Sequence, residues 1–231
     1  MKWFRRLLWR GGLIVLGLLL LYFGWIFSHV LWWNFFNPSS SSFMQDRLET
    51  LQEKNPRAKL RHKWVPYDKI SLNLKRAVVA AEDANFMEHA GFDWEAIQRA
   101  YEKNIKKGKV VAGGSTISQQ LAKNMFLTPK RSAVRKLEEA MITLIIETVM
   151  SKQRIFEIYL NIIEWGNGVF GCEAAAQHYF KTSAGRLDAW EAARLAAMVP
   201  NPRYYDRHRN TRYLNRKTNL ILGRMPSAVV P

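Results

Sequence analysis

The chain has 231 residues, 48% of them hydrophobic, and 35 Lys and Arg against 19 Asp and Glu give a formal charge of +16. That length suits one anchored domain with a real core, and the charge calls for an anionic partner: nucleic acid, an anionic membrane surface or a phosphorylated substrate. The single cysteine, Cys172, excludes an intramolecular disulfide and a Cys-based metal site, and the five histidines show no ligand-like spacing.

In chain order, "MKWFRRLLWR" carries Lys2, Arg5, Arg6 and Arg10, and no further charged side chain follows until Asp46 if His29 is neutral. Gly11 to Trp33 is an apolar run, about 35 Å long as a helix and enough to cross a bilayer. Trp32 and Trp33 close it as an aromatic belt, and the arginines predict a cytoplasmic N-terminus. A cleaved signal peptide is the competing reading; the run is long for an h-region, and "SHVLWWNFFNPSSSS" has no A-x-A-like site. An uncleaved anchor places the body of the protein outside the cytoplasm, which argues against a nucleic-acid partner. Residues 1–10 are then a cytoplasmic basic segment, 11–33 the anchor and 34–64 a tether and connector, with "NPSSSS" as its flexible part. The globular domain spans 65–205, and 206–231 form a basic tail.

From Ile70 the periodicity is helical. Ile70, Leu74, Ala77, Val78 and Ala81 predict an amphipathic helix over 70–85 with Glu82 near its C-terminal end. A helix follows at 93–105, then the basic, glycine-bearing loop "KKGKVVAGG". Thr116 and Gln119 form a capping box behind Gly113 and Gly114. Ser132 caps a long helix to about Met150, and Ser151 begins another. "EWGNGVFG" reads as a turn-rich loop, and helices at 172–181 and 188–198 follow. No strand run of comparable quality stands out, so the fold class is mainly α.

Between Glu102 and Glu138 the chain has nine bases and no acid. The cluster at 103–109 reads as a solvated or lipid-facing basic face. Lys123 differs, since it shares a helix face with Gln119, and Arg131 and Arg135 stand at the start of the next helix, where the macrodipole also favours an anion. Together these residues suit a pyrophosphate.

The acids cluster in "AAEDANFMEHAGFDWEAI" and at Glu138-Glu139. Arg135 and Glu139 suit a surface i,i+4 pair, and Glu82 and Asp83 suit a solvated helix end. A carboxylate at a helix C-terminus meets the negative end of the dipole, so Glu82 requires a partner or a purpose. His89 could act as a general base, although such a histidine more often packs and hydrogen-bonds a turn. The chemistry these parts suit is attack of a sugar hydroxyl on an anomeric carbon bearing pyrophosphate. A carboxylate takes the hydroxyl's proton, and cations let pyrophosphate leave unprotonated.

"EDANFMEHAGFD" (82–93), "GGSTISQQLAKN" (113–124), "RKLEEA" (135–140), "SKQRIFEIYLN" (151–161) and "EAARLAAMVPNP" (191–202) stand in the order of five motifs. Over about 65–205 the chain thereby resembles glycosyltransferase family 51, the peptidoglycan glycosyltransferases. With one anchor and no room for a transpeptidase domain, it is most similar to the monofunctional members. The resemblance implies a lysozyme-like two-lobed helical domain behind one N-terminal transmembrane helix, in the plasma (inner) membrane of a bacterium. It implies single-pass topology with the catalytic domain on the periplasmic side. The implied reaction polymerises lipid II into β-1,4-linked strands by inverting displacement of undecaprenyl pyrophosphate.

In that likeness Glu82 is the general base and Glu139 a second catalytic glutamate, electrostatic in role or holding a metal. Lys123 and Arg131 match pyrophosphate-binding positions, with Gln119 and Arg135 nearby. Asp83, Phe86, His89, Gly91, Gly114, Ser115, Thr116 and Asn124 shape the site. No cofactor is required for certain, and a divalent cation (Mg or Mn) at Glu139 is left open. Implied partners are lipid II, the growing lipid-linked strand and membrane lipid, with room for other cell-wall synthesis or division proteins and none for nucleic acid. Two other readings stand beside this one. A lysozyme-like or lytic enzyme would use Glu82 as a general acid and has no use for a pyrophosphate cradle. A membrane-anchored scaffold would leave the order of the motifs unexplained.

Overall fold

The computed structural model describes residues 2–109, 113–130 and 132–231, and among these the protein is mainly helical. Helix α1 (Lys2–Trp33) is long and apolar enough to cross a membrane and takes in the basic N-terminal segment as well. Most of its side chains are exposed, as a lipid-facing helix requires. Near its C-terminal end Ile26 and Val30 are buried, Trp33 packs against Phe126, and the Tyr22 hydroxyl donates to Glu138.

The "NPSSSS" stretch, expected to be flexible, is ordered. Asn34 Nδ2 donates to the Val149 carbonyl at 3.0 Å, and Pro38 is buried. Ser41 caps α2 (Ser42–Gln52) by accepting from the Met44 N–H. Arg154 fastens the end of α1: its Nε donates to the Trp33 carbonyl at 2.8 Å and its Nη2 to the Phe36 carbonyl at 2.9 Å. The composition is linker-like; the partners that hold it, Met125, Val149 and Arg154, lie far along the chain.

The main helices follow the predicted order: α3 (Leu72–Glu82), α4 (Trp94–Lys107), α5 (Ile117–Phe126), α6 (Ala133–Val149), α7 (Lys152–Ile162), α8 (Cys172–Phe180) and α9 (Ala189–Met198). The capping boxes read at Thr116/Gln119 and Asp188/Glu191 are both present, and each such cap stabilises its helix by about 1 kcal/mol. The "EWGNGVFG" loop is in fact a hairpin, β2 (Glu164–Gly166) and β3 (Val169–Phe170), and β1 (Arg61–His62) joins β3 in parallel, giving the sheet order β1-β3-β2. Strands of two or three residues are too short for a period-2 pattern to show.

The C-terminal segment, read as a basic tail, contains α10 (Pro202–Arg207) and α11 (Arg212–Arg224). Helix α11 buries Leu214, Thr218 and Ile221 against α3 and α9. Its six charged or amide side chains mask a narrow buried stripe, which is why composition alone suggested a tail. The core unites α3, α5, α7, α8, α9 and α11, and its largest fully buried side chains are Trp165, Tyr159, Phe86, Phe156 and Phe170.

Candidate active site

Helix α3 ends at Glu82 because Asp83 leaves helical geometry, with φ −161° and ψ 78°. The buried Asp83 carboxylate then serves two other segments. Its Oδ1 accepts from His89 Nε2 at 3.0 Å, and its Oδ2 accepts from the Ile117 N–H at 2.9 Å. His89 Nδ1 accepts in turn from the Gly91 N–H at 3.2 Å. The histidine therefore carries its proton on Nε2 and braces a turn, so both nitrogens are committed and the general-base alternative for His89 is not supported. Thr116 Oγ1 donates to the Gly91 carbonyl at 2.7 Å. These bonds satisfy free N–H groups at the start of α5 and fix that helix against the end of α3.

Two glycines permit the close approach. Gly91 has φ +89°, and a Cβ there would meet Thr143 Cγ2 at 2.8 Å. A Cβ on Gly114 would meet the Ile97 Cα at 2.8 Å. Phe86 is fully buried and packs on Phe156.

Glu82 is half-buried and its Oε2 accepts from Gln120 Nε2 at 2.9 Å. The Gln120 amide is oriented from behind, since the buried Tyr159 hydroxyl donates to Gln120 Oε1 at 3.0 Å. Glu82 Oε1 has no hydrogen-bond partner among the described residues. Burial pushes the Glu82 carboxyl above the usual carboxylate range, and Asp83 adds to this; the Gln120 bond, Lys217 and Lys123 oppose it. Burial also lowers the Lys123 ammonium, reinforced by Arg135 and Lys136 and countered by Glu139 and Glu82. Lys123 forms no ion pair among the described residues, so its charge is available to a ligand.

Glu139 is 3% exposed, which overturns the expectation of a surface pair. Its Oε2 accepts from Arg135 Nη1 at 3.1 Å, and Lys136 donates to its Oε1. Both cations are thereby turned toward the cleft. With each oxygen engaged by a cation, and no group of three potential ligands among the described residues, this donor set does not fit a metal held by the protein. Arg131 lies outside the described residues.

Three cavities meet here. One of about 470 Å³ is lined by Ser115, Gln119, Gln120, Lys123, Arg135 and Glu139. A second, of about 340 Å³, shares Phe43, Gln120, Lys123, Pro129 and Arg203 with the first and adds Asn124, Glu164 and Asn201. The third, of about 230 Å³, holds Glu82 and Asp83 and touches the first at Ser115. A continuous cleft thus runs from an acidic pocket, past a cationic centre, to the Glu164 carboxylate held by Arg47 at 3.1 Å.

Gln119 closes the capping box and is buried, so Gln120 is the glutamine that reaches the acid. The capping box itself carried this signal, because a glutamine at its third position is turned back onto the backbone. Arg203, which comes to the cleft from α10, and Tyr159, which acts through Gln120, were also missed, and no local spacing reveals them.

A family model described as Transglycosylase matches residues 47–226. The chain is 64% identical over 227 residues to the biosynthetic peptidoglycan transglycosylase of Methylobacillus flagellatus, covering 98% of this chain and 99% of that protein. It is 61% identical over 228 residues to the one from Nitrosospira multiformis, with 99% of each chain covered. Over 231 residues it is 60% identical to that of Janthinobacterium sp. (strain Marseille), with both chains covered completely.

Proposed function

The chain belongs to the transglycosylase family, and for the peptidoglycan glycosyl transfer that this membership assigns to it we propose a mechanism centred on Glu82. The substrate is lipid II and the growing glycan strand. Glu82 Oε1 takes the proton of the acceptor's 4-hydroxyl as that oxygen attacks the donor's anomeric carbon. The bond from that carbon to pyrophosphate breaks, and undecaprenyl pyrophosphate leaves with the electron pair. A single displacement inverts the α-linked donor to a β-1,4 bond. Lys123 and Arg135, with Arg131, offset the charge that grows on the leaving group. Glu139 acts through Arg135 and Lys136 by holding them in place, and no step is routed through a cation.

The observation that carries this reading is the pairing, in one cleft, of a hydrogen-bonded carboxylate having one free oxygen with an unpaired lysine. A raised carboxyl alone would also suit the general acid of a glycan-cleaving enzyme; the cationic centre beside it favours pyrophosphate departure. Helix α1 crosses the inner membrane with Lys2, Arg5, Arg6 and Arg10 on the cytoplasmic side, which keeps the cleft where a lipid-linked substrate diffuses. Other cell-wall synthesis or division proteins would meet the enzyme on that outer side.

Glu82→Gln keeps the shape and removes the base, so turnover should fall about 10²–10⁴-fold. The fold should survive. A carboxyl whose pKa is raised on folding weakens the native state above that pKa, and the deficit disappears as pH falls below the unfolded value. The variant should therefore melt at or above wild type at neutral pH, with the gap closing under acid. A folded Glu82→Gln enzyme that polymerises at the wild-type rate would refute the assignment.

A further inference from the structure

Glycosyl transfer itself occupies the 470 Å³ and 230 Å³ cavities, and the 340 Å³ cavity beyond Lys123 has no duty in it. Three elements build its far wall around one carboxylate. Arg47 Nε of α2 lies 3.1 Å from Glu164 Oε1, and Arg203 Nε of α10 lies 3.6 Å from Glu164 Oε2. The Gly168 N–H also donates to Oε1, at 3.3 Å. Arg47 is 9% exposed and has no other partner among the described residues, so Glu164 matches its buried charge. Arg203 differs. It is exposed, donates no hydrogen bond among the described residues and lines the 470 Å³ cavity as well, so it stands with Lys123 where the two cavities join. Asp46 of α2, exposed and without a side-chain partner among the described residues, also lines the 340 Å³ cavity. Arg47 and Glu164 offset each other and Lys123 faces the pyrophosphate. One positive and one negative pole remain, Arg203 and Asp46.

We propose that this cavity is a subsite for the peptide stem of the lipid-linked donor, with Arg203 taking a stem carboxylate and thereby setting substrate specificity. This rests on Lys123 holding the donor's pyrophosphate. The stem branches from the same sugar that carries the pyrophosphate, so a donor seated on Lys123 brings the first residues of the stem to the junction where Arg203 stands. A neutral glycan would cover both poles without pairing them, at a cost in desolvation. A peptide bearing carboxylate and ammonium groups meets both. Arginine also presents paired N–H donors that match a carboxylate bidentately. Glu164, anchored by Arg47 and the Gly168 N–H, holds Arg203 on the cavity wall through its longer contact and leaves the remaining donors to the ligand.

The test compares steady-state polymerisation by full-length protein in detergent with two forms of lipid II, the stem carboxylates free or converted to carboxamides. With wild type, amidation should raise KM about tenfold and leave kcat little changed. Arg203→Gln should raise KM on the free-carboxylate form by the same factor, and amidation should then add nothing. Equal KM values for the two forms with wild type would overturn the proposal, as would a penalty in Arg203→Gln that is the same on both forms. Lys123→Gln should lower kcat about 10²-fold on both forms alike. If it does not, the placement of the pyrophosphate falls. If it does, and amidation leaves wild type unaffected, only the stem subsite falls.

Discussion

Gln119 turns its amide back onto Thr116, whereas Gln120 turns its amide onto Glu82. Substitution should therefore separate stability from turnover at two adjacent positions. Gln119→Ala should cost about 1 kcal/mol in thermal melts through the lost capping box, with kcat little changed. Gln120→Ala should lower kcat several-fold with little effect on melting, and equal effects at both positions would contradict the division. The acids at the end of α3 show the same limit at residue scale. Glu82 was marked by its placement at an unfavourable helix end and Lys123 and Arg135 by their spacing, whereas the spacing of Glu139 suggested only a surface pair and its role came from the family resemblance. The duties of Asp83 and His89 were not legible, because each is set by a partner in another segment.

At the scale of elements, helix periods and caps located α3 through α9 because most bury an apolar stripe and all but α8, which follows Gly171, begin at Ser, Thr or Asp. Helix α11 escaped because three buried residues among many polar ones do not declare a face. The 34–41 stretch escaped for a different reason: its order comes from Arg154, whose guanidinium holds the Trp33 and Phe36 carbonyls and also pairs with Glu157 at 2.7 Å. Arg154→Ala would leave those carbonyls without their donor and should cost about 1–2 kcal/mol. The melting point should fall several degrees, and proteolytic cleavage should appear between 34 and 42. Unchanged melting and protease resistance would show that α1 and the stretch after it are held by their other contacts without Arg154.

Across the whole molecule, the net charge of +16 resolves into parts with separate work. Four bases stand in the first ten residues, at the start of α1, and those of α5 and α6 line the cleft. Burying Glu82 and Lys123 together lowers the stability of the empty enzyme, a cost commonly concentrated where charge must later be met. Lipid II supplies that charge. The most direct measurement incubates purified enzyme with labelled lipid II and sizes the products before and after muramidase digestion. Polymer that muramidase degrades, formed by wild type and absent with Glu82→Gln, is the predicted result. Cleavage of preformed glycan strands without polymer would contradict it and make Glu82 a general acid.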